Sequence, residues 1–183
     1  RPDRARARGP PPPSRGIARG MAELLDPAIF GDDSPCFGCN PSHPVGLRLR
    51  FERDGDVVRT RYLPEERFQG PPGILHGGLV MTLADELAAW AIIGLRGRFG
   101  FTASFEGRLL KPVRVGVEAI GTARIVEDRG RVAKVEVRIA QGDAEVFAGS
   151  FSFVVLDEKG AERLLGRPLP EAWKRFARTS SAG

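Results

Sequence analysis

The residues best suited to chemistry stand around one apolar run. His76-Gly77-Gly78 opens it, residues 79–95 continue it, and Asp85 and Glu86 are the only charges inside. A carboxylate in such surroundings needs a partner or a task, because burying it alone is costly. Burial also raises its pKa, which suits it to accept a proton from water. Glycines at 77 and 78 allow a ligand close to the backbone. A helix starting near Gly77 would offer unpaired N–H groups and a positive end to an oxyanion. Hydrolysis of an activated acyl group passes through such an oxyanion, and losing one donor typically costs about 3–4 kcal/mol.

Asp85 and Glu86 point about 100° apart on a helix, so only one faces a given ligand. Asp85 is preferred; Glu86 is expected at the margin of the site, at an interface or on an Arg. His76 and Asp85 are nine residues apart. On an unbroken helix that is about 13 Å along the axis and roughly half a turn out of phase. One chain cannot bring both to one reacting atom. A site using both must draw His76 from one subunit and Asp85 from another, most simply in a two-fold dimer with two equivalent sites. A plainer role also stands open for His76, as a loop histidine bonded to backbone. The Gly77 amide would then carry that end of the site.

Other side chains are weaker candidates. Thr102, Ser104 and Glu106 alternate along one side of an expected strand, where a hydroxyl could hold an attacking water. Cys36-x-x-Cys39 with His43 has metal-like spacing, but a structural zinc site wants four ligands. The sequence has two Cys and two His, and His76 is assigned elsewhere. The expectation is packed thiols in a tight loop, with no metal and no cofactor; a redox pair is the other option.

The chain has 183 residues, enough for one domain with tails. The net charge of +5 suggests nucleic acid, but all of the excess lies in residues 1–20. That segment is rich in Arg and Pro and cannot bury enough apolar surface to fold. It lacks the apolar centre of a signal peptide. It reads as a disordered basic extension ahead of Met21, a natural starting residue, and nucleic-acid binding is not expected. Asp85 and Glu86 break the long apolar run, so no membrane span is expected. Two Cys make no disulfide framework, and a reducing, cytoplasmic compartment is the expectation.

The run from 79 to 95 is too long for a strand and apolar on every face, so it reads as an enclosed helix. Before it, residues 22–29 read as a short helix and residues 32–46 as a loop. Strands over 46–53 and 57–63 follow, joined at Asp54-Gly55. After the helix, strands over 101–110, 113–126, 132–140 and 145–156 read as an antiparallel meander. Residues 158–183 read as a polar tail with a short helix over 170–177. The domain is drawn at 21–157. A curved antiparallel sheet wrapped around the central helix would bury it on all sides.

That order, with GPPGILHGG followed by TLADE, resembles the hotdog-fold acyl-CoA thioesterases of the phenylacetate-pathway type over residues 35–156. The resemblance implies an α+β hotdog fold, a long central helix wrapped by a curved antiparallel sheet. It implies Asp85 as the catalytic carboxylate, with His76 and the Gly77 N–H at the thioester-binding end. Gln69, Gly78, Glu86, Thr102 and Ser104 are the expected substrate contacts. Acyl-CoA is the implied substrate, and a homodimer or dimer of dimers the implied assembly. Some members carry an Asn shortly before the His; here Gly70 stands six before it and Gln69 is the nearest amide. Coenzyme A phosphates want Arg or Lys, and Arg96, Arg98, Arg108 and Lys111 are expected near the helix exit, although scattered surface charge describes each of them equally. The acyl chain is expected along the helix near Trp90 and Met81. Two rival functions share the fold: ligand binding without turnover, which the missing Asn favours, and hydration, whose Asp and His pairing is not visible.

Overall fold

The computed structural model describes residues 22–31 and 34–179. The expected basic extension at 1–20 lies outside the described residues. Seven strands form one antiparallel sheet: β1 (Glu23–Leu25), β2 (Phe51–Asp54), β3 (Val57–Tyr62), β4 (Phe101–Leu109), β5 (Ala119–Asp128), β6 (Val132–Gln141) and β7 (Ala144–Val154). Their order across the sheet is β1-β2-β3-β5-β6-β7-β4. The central helix α1 (Gly77–Arg96) packs along β3, β5 and β6. This is the expected hotdog arrangement.

The helix earns its enclosure from composition. Val80, Leu83, Ala84, Leu87, Ala88, Trp90, Ala91, Ile92 and Ile93 are all buried. By length and apolar content α1 would suffice to cross a bilayer, contrary to the expectation that its two acids disqualify it. Here the sheet covers it instead. Gly97 ends it in the left-handed region at φ 60°, its N–H on the Ile93 carbonyl. The sheet's inner face follows period two: Ala133, Val135, Val137 and Ile139 on β6 are buried and alternate with Lys134, Glu136 and Arg138. Phe147, Phe151 and Phe153 do the same on β7. Each such aromatic or aliphatic side chain stabilises the fold by about 1.5–3 kcal/mol through burial.

Four details depart from the sequence reading. Residues 22–29 are not a helix: β1 pairs with β2, and Pro27 starts a 3-10 turn (Pro27–Phe30) capped by Asp26. Proline fixes that turn's first residue and cannot sit inside a longer helix. The four late strands are not a simple meander, because β4 pairs with β7 rather than β5. Residues 113–118 do not extend β5. Their backbone is bound to the loop ahead of α1, with Leu75 N–H on the Val113 carbonyl at 2.8 Å and Val115 N–H on Gly73 at 3.1 Å. That tie carries the chain across the start of α1 and leaves β4 at the sheet edge. Finally, residues 158–179 hold, besides the expected short helix, here α3 (Glu171–Lys174), a second one, α2 (Glu158–Leu165). Asp157 caps α2 through the Gly160 N–H, and Trp173 donates its indole N–H to the Phe30 carbonyl at 2.9 Å.

Candidate active site

Asp85 stands on the side of α1 that faces β4. Thr102 donates its hydroxyl to Asp85 Oδ1 at 2.6 Å. Among the described residues none donates to Oδ2, so that oxygen faces the adjoining space. A cleft of about 510 Å³ opens there, lined by Met81, Thr82, Asp85, Thr102 and Phe105 among others. Burial raises the Asp85 carboxyl above its ordinary range, and the Thr102 hydroxyl pulls it partly back. A carboxylate fixed on one oxygen and open on the other can orient or deprotonate a water.

Thr102 reaches Asp85 because of a bulge. It pairs with Phe153, yet Ser104 pairs with Ser152, and the register slips between them. Directly paired residues share a face, so Thr102 joins Phe153 and Phe105 on the helix side, while Ser104 and Glu106 pair on the outer side; Ser104, next to the bulge, still borders the Asp85 cleft. The expected alternation of Thr102, Ser104 and Glu106 on one side is therefore broken. Thr102 alone of the three contacts Asp85.

The other end of the site lies at the start of α1. His76 is the helix N-cap, and its Nδ1 accepts from the Gly78 N–H at 3.0 Å. Neutral His76 then carries its proton on Nε2, on an exposed ring. The Leu79 and Val80 N–H groups bind the His76 carbonyl at 2.9 and 3.2 Å. Gly78, an expected substrate contact, has thus spent its N–H on the cap. Among the described residues no acceptor lies against the Gly77 N–H, which is left for a ligand. A side chain at Gly77 would approach Leu109 to 3.2 Å, so glycine keeps this corner open. A second cleft, of about 320 Å³, runs past Gly77 between Pro71, Ile74, Leu109 and Lys111. Helix α1 is unbroken from Gly77 to Arg96. Within one chain the two ends therefore stay about 12–13 Å apart.

Several expected contacts are committed elsewhere. Gln69 accepts from the Gly73 N–H at 2.9 Å and braces its own loop. Arg96 and Arg98 both bind Asp128, at 3.2 and 2.6 Å. Lys111 lies beside the helix start, not its exit. Trp90 is core, stacked on Phe51 at 4.9 Å, and lines neither cleft. Met81 does line the Asp85 cleft. Glu86 turns away from the substrate side altogether. Its Oε1 lies 3.1 Å from Cys36 Sγ, and the Cys39 thiol donates to Cys36 Sγ at 3.0 Å. Burial, then the neighbouring Cys36, pushes the Glu86 carboxyl up to about 8. The hydrogen bond from Cys39 pulls the Cys36 thiol down to about 5 against the effect of burial, while Cys39 itself is pushed up. His43 is not part of this group: its Nδ1 accepts from the Val45 N–H and its ring packs on Phe37. The link from Glu86 to the cysteines, fifty residues away in the chain, left no local signal in the sequence.

Comparison with known proteins falls on the same segment. Residues 72–148 match the model of the thioesterase superfamily. A methylthioribose-1-phosphate isomerase of Aquifex aeolicus is 37% identical over 84 residues, which is 46% of this chain but only 18% of that protein. A protein of Saccharolobus solfataricus named as an esterase is 25% identical over 122 residues, 65% of this chain and 81% of its own length. Among solved structures, a thioesterase-superfamily protein superposes with a TM-score of 0.61 at 22% identity, over 78% of this chain and 68% of that one. The chain has the hotdog fold, and its helix with the strands that follow is similar to the thioesterase-superfamily model.

Proposed function

We propose that the protein hydrolyses an acyl-CoA thioester to the free acid and coenzyme A, at sites shared between two subunits. The observation that carries this reading is the pairing of Asp85 with Thr102 in an open cleft, on the same sheet edge as the unspent Gly77 N–H. Among the described residues strand β4 has no neighbour on its outer side, and Phe105 and Leu109 on it are 57% and 55% exposed. Edge strands of this length and character invite pairing. A second copy added antiparallel about Phe105 and Glu106 lays Thr102 of one subunit beside Leu109 of the other. Leu109 adjoins Gly77. Asp85 of one subunit then faces the partner subunit's Gly77.

In that arrangement the thioester carbonyl oxygen accepts from the partner subunit's Gly77 N–H and the positive end of its helix. The exposed Nε2–H of the partner's His76 stands at the same end. Asp85 either draws a proton from water as it adds to the carbonyl or adds to the carbonyl itself; both routes form a tetrahedral oxyanion. Collapse breaks the C–S bond; on the first route the thiolate of coenzyme A takes up the proton that Asp85 drew from water, and on the second a water then opens the acyl-Asp85 anhydride, which releases the acid, regenerates Asp85 and supplies the thiolate's proton. Lys111 lies beside the Gly77 cleft, where a phosphate of the substrate could meet it.

The test is an acyl-CoA hydrolysis panel on the wild type and Asp85→Asn. The variant should lose about 100-fold or more, the usual scale for removing a general base. Wild-type turnover in Asp85→Asn would remove Asp85 from the mechanism. A second reading, acyl-group binding without turnover, draws on Gln69, whose carboxamide oxygen is spent on its own loop. Ligand binding with no hydrolysis across the panel would favour it.

A further inference from the structure

The cluster of Cys36, Cys39 and Glu86 takes no part in the chemistry above. It lies on a face of α1 turned about 100° from Asp85, where the loop after the first strand closes on the helix. The two sulfurs and a Glu86 carboxylate oxygen all lie within 4.8 Å of one another. We propose that these three side chains bind one thiophilic divalent cation of the zinc type, with a fourth position left to water.

The geometry of the loop supports this. A side chain at Gly38 would fall 2.2 Å from Glu86 Cγ and 2.7 Å from its Oε1, so the turn is closed down on the carboxylate. The Cys39 N–H donates to Cys36 Sγ at 3.3 Å. N–H groups aimed at sulfur in a C-x-x-C turn form the outer hydrogen-bond shell that orients thiolate ligands. The turn is also fixed from behind. Leu47 N–H binds the Phe37 carbonyl and Leu49 N–H the Gly38 carbonyl, each at 2.9 Å. Asn40 bridges Ser34 and Ser42.

Charge points the same way. Three acidic groups converge in a largely buried place, and among the described residues no Lys or Arg touches any of them. Buried acids without a cation must keep their protons or find a metal. Zinc accepts two thiolates and a carboxylate, at about 2.3 Å and about 2.0–2.2 Å. Tetrahedral donors at those lengths stand about 3.5–3.8 Å apart. The present separations of 3.0 Å between the sulfurs and 3.1 Å from sulfur to oxygen would open by about 0.8 and 0.5 Å, a side-chain adjustment. A disulfide is the competing use of Cys36 and Cys39. It would occupy two of the three groups and leave the Glu86 carboxyl buried with nothing to bind.

The experiment uses the full chain, reduced and stripped of metal, titrated with cobalt(II) and then with zinc. One equivalent of cobalt should give thiolate-to-metal charge transfer in the near ultraviolet and strong tetrahedral bands in the visible, both displaced by zinc. Cys36→Ser should abolish the charge-transfer band. Glu86→Gln, close in shape and retaining both thiols, should weaken cobalt affinity at least tenfold while its circular dichroism stays that of the wild type. Absence of a stoichiometric band in wild-type protein whose two thiols are titrated as free would overturn the site. So would unchanged affinity in Glu86→Gln. The readout does not involve thioester turnover, so it stands or falls separately from the proposed activity.

Discussion

At the scale of single residues, the Gly77 N–H is the group most open to a clean test. It is the one first-turn donor left for a ligand, since Gly78, Leu79 and Val80 are bound to His76. Gly77→Pro removes that donor and little else. Proline is well suited to the first helical position. His76 already has φ −56° and ψ 131°, the extended conformation that a residue before proline prefers. A Cβ at this position has Leu109 as its neighbour, at 3.2 Å. Gly77→Pro is therefore expected to fold, with its circular dichroism unchanged, and to lose about 100–1000-fold in kcat, the scale of a lost oxyanion donor. Near-normal turnover in a folded variant would place the oxyanion elsewhere.

At the scale of elements, the loop after α1 is tied to the end of β5 by Asp128. Arg98 reaches it at 2.6 Å, and the Gly130 N–H donates to it at 2.9 Å. Burial by itself pushes the Asp128 carboxyl up, but the Gly130 N–H and Arg98 together outweigh it and hold the group below the ordinary carboxylate range. A carboxyl lowered by folding adds stability above its unfolded pKa, about 3.9, and that contribution is lost as pH falls through the folded value. Arg98→Gln should therefore be less stable than wild type at pH 7, by about 0.5–1 kcal/mol for a pair still open to solvent at its margin. The gap in urea midpoints should close as the pH is taken below about 3. A gap independent of pH would mean that Arg98 acts by packing and not by charge.

The same scale shows what could be read in the sequence. Helix α1 was legible because apolar residues on every face leave enclosure as the only option, and β6 because its alternation is strict. The face of Thr102 was not, because one slipped residue near Ala103 reverses the alternation that a reader must assume. The start of β5 was not, because Val113 and Val115 have strand-like side chains but give their backbone bonds to residues 73–75. Asp85 stood out as a charge inside an apolar run. Glu86 stood out equally, and only the packing of a distant loop separates their roles.

At the scale of the whole molecule, the two ends of the site cannot meet within one chain. They lie at opposite ends of β4, the edge strand whose helix-side residues Phe105 and Leu109 remain exposed. The proposed two-fold pairing would cover those side chains and complete both sites together, so a monomer should be inactive. The direct measurement combines two variants that are each dead for a different reason. Asp85→Asn and Gly77→Pro carry different affinity tags, are produced together, and their mixed dimers are isolated through both tags in turn. In such a dimer one site holds both substitutions and the other holds neither. Acyl-CoA hydrolysis by the mixed dimer should return to about half the wild-type rate, while each variant alone stays near zero. A mixed dimer as inactive as its parents would contradict a site shared between subunits.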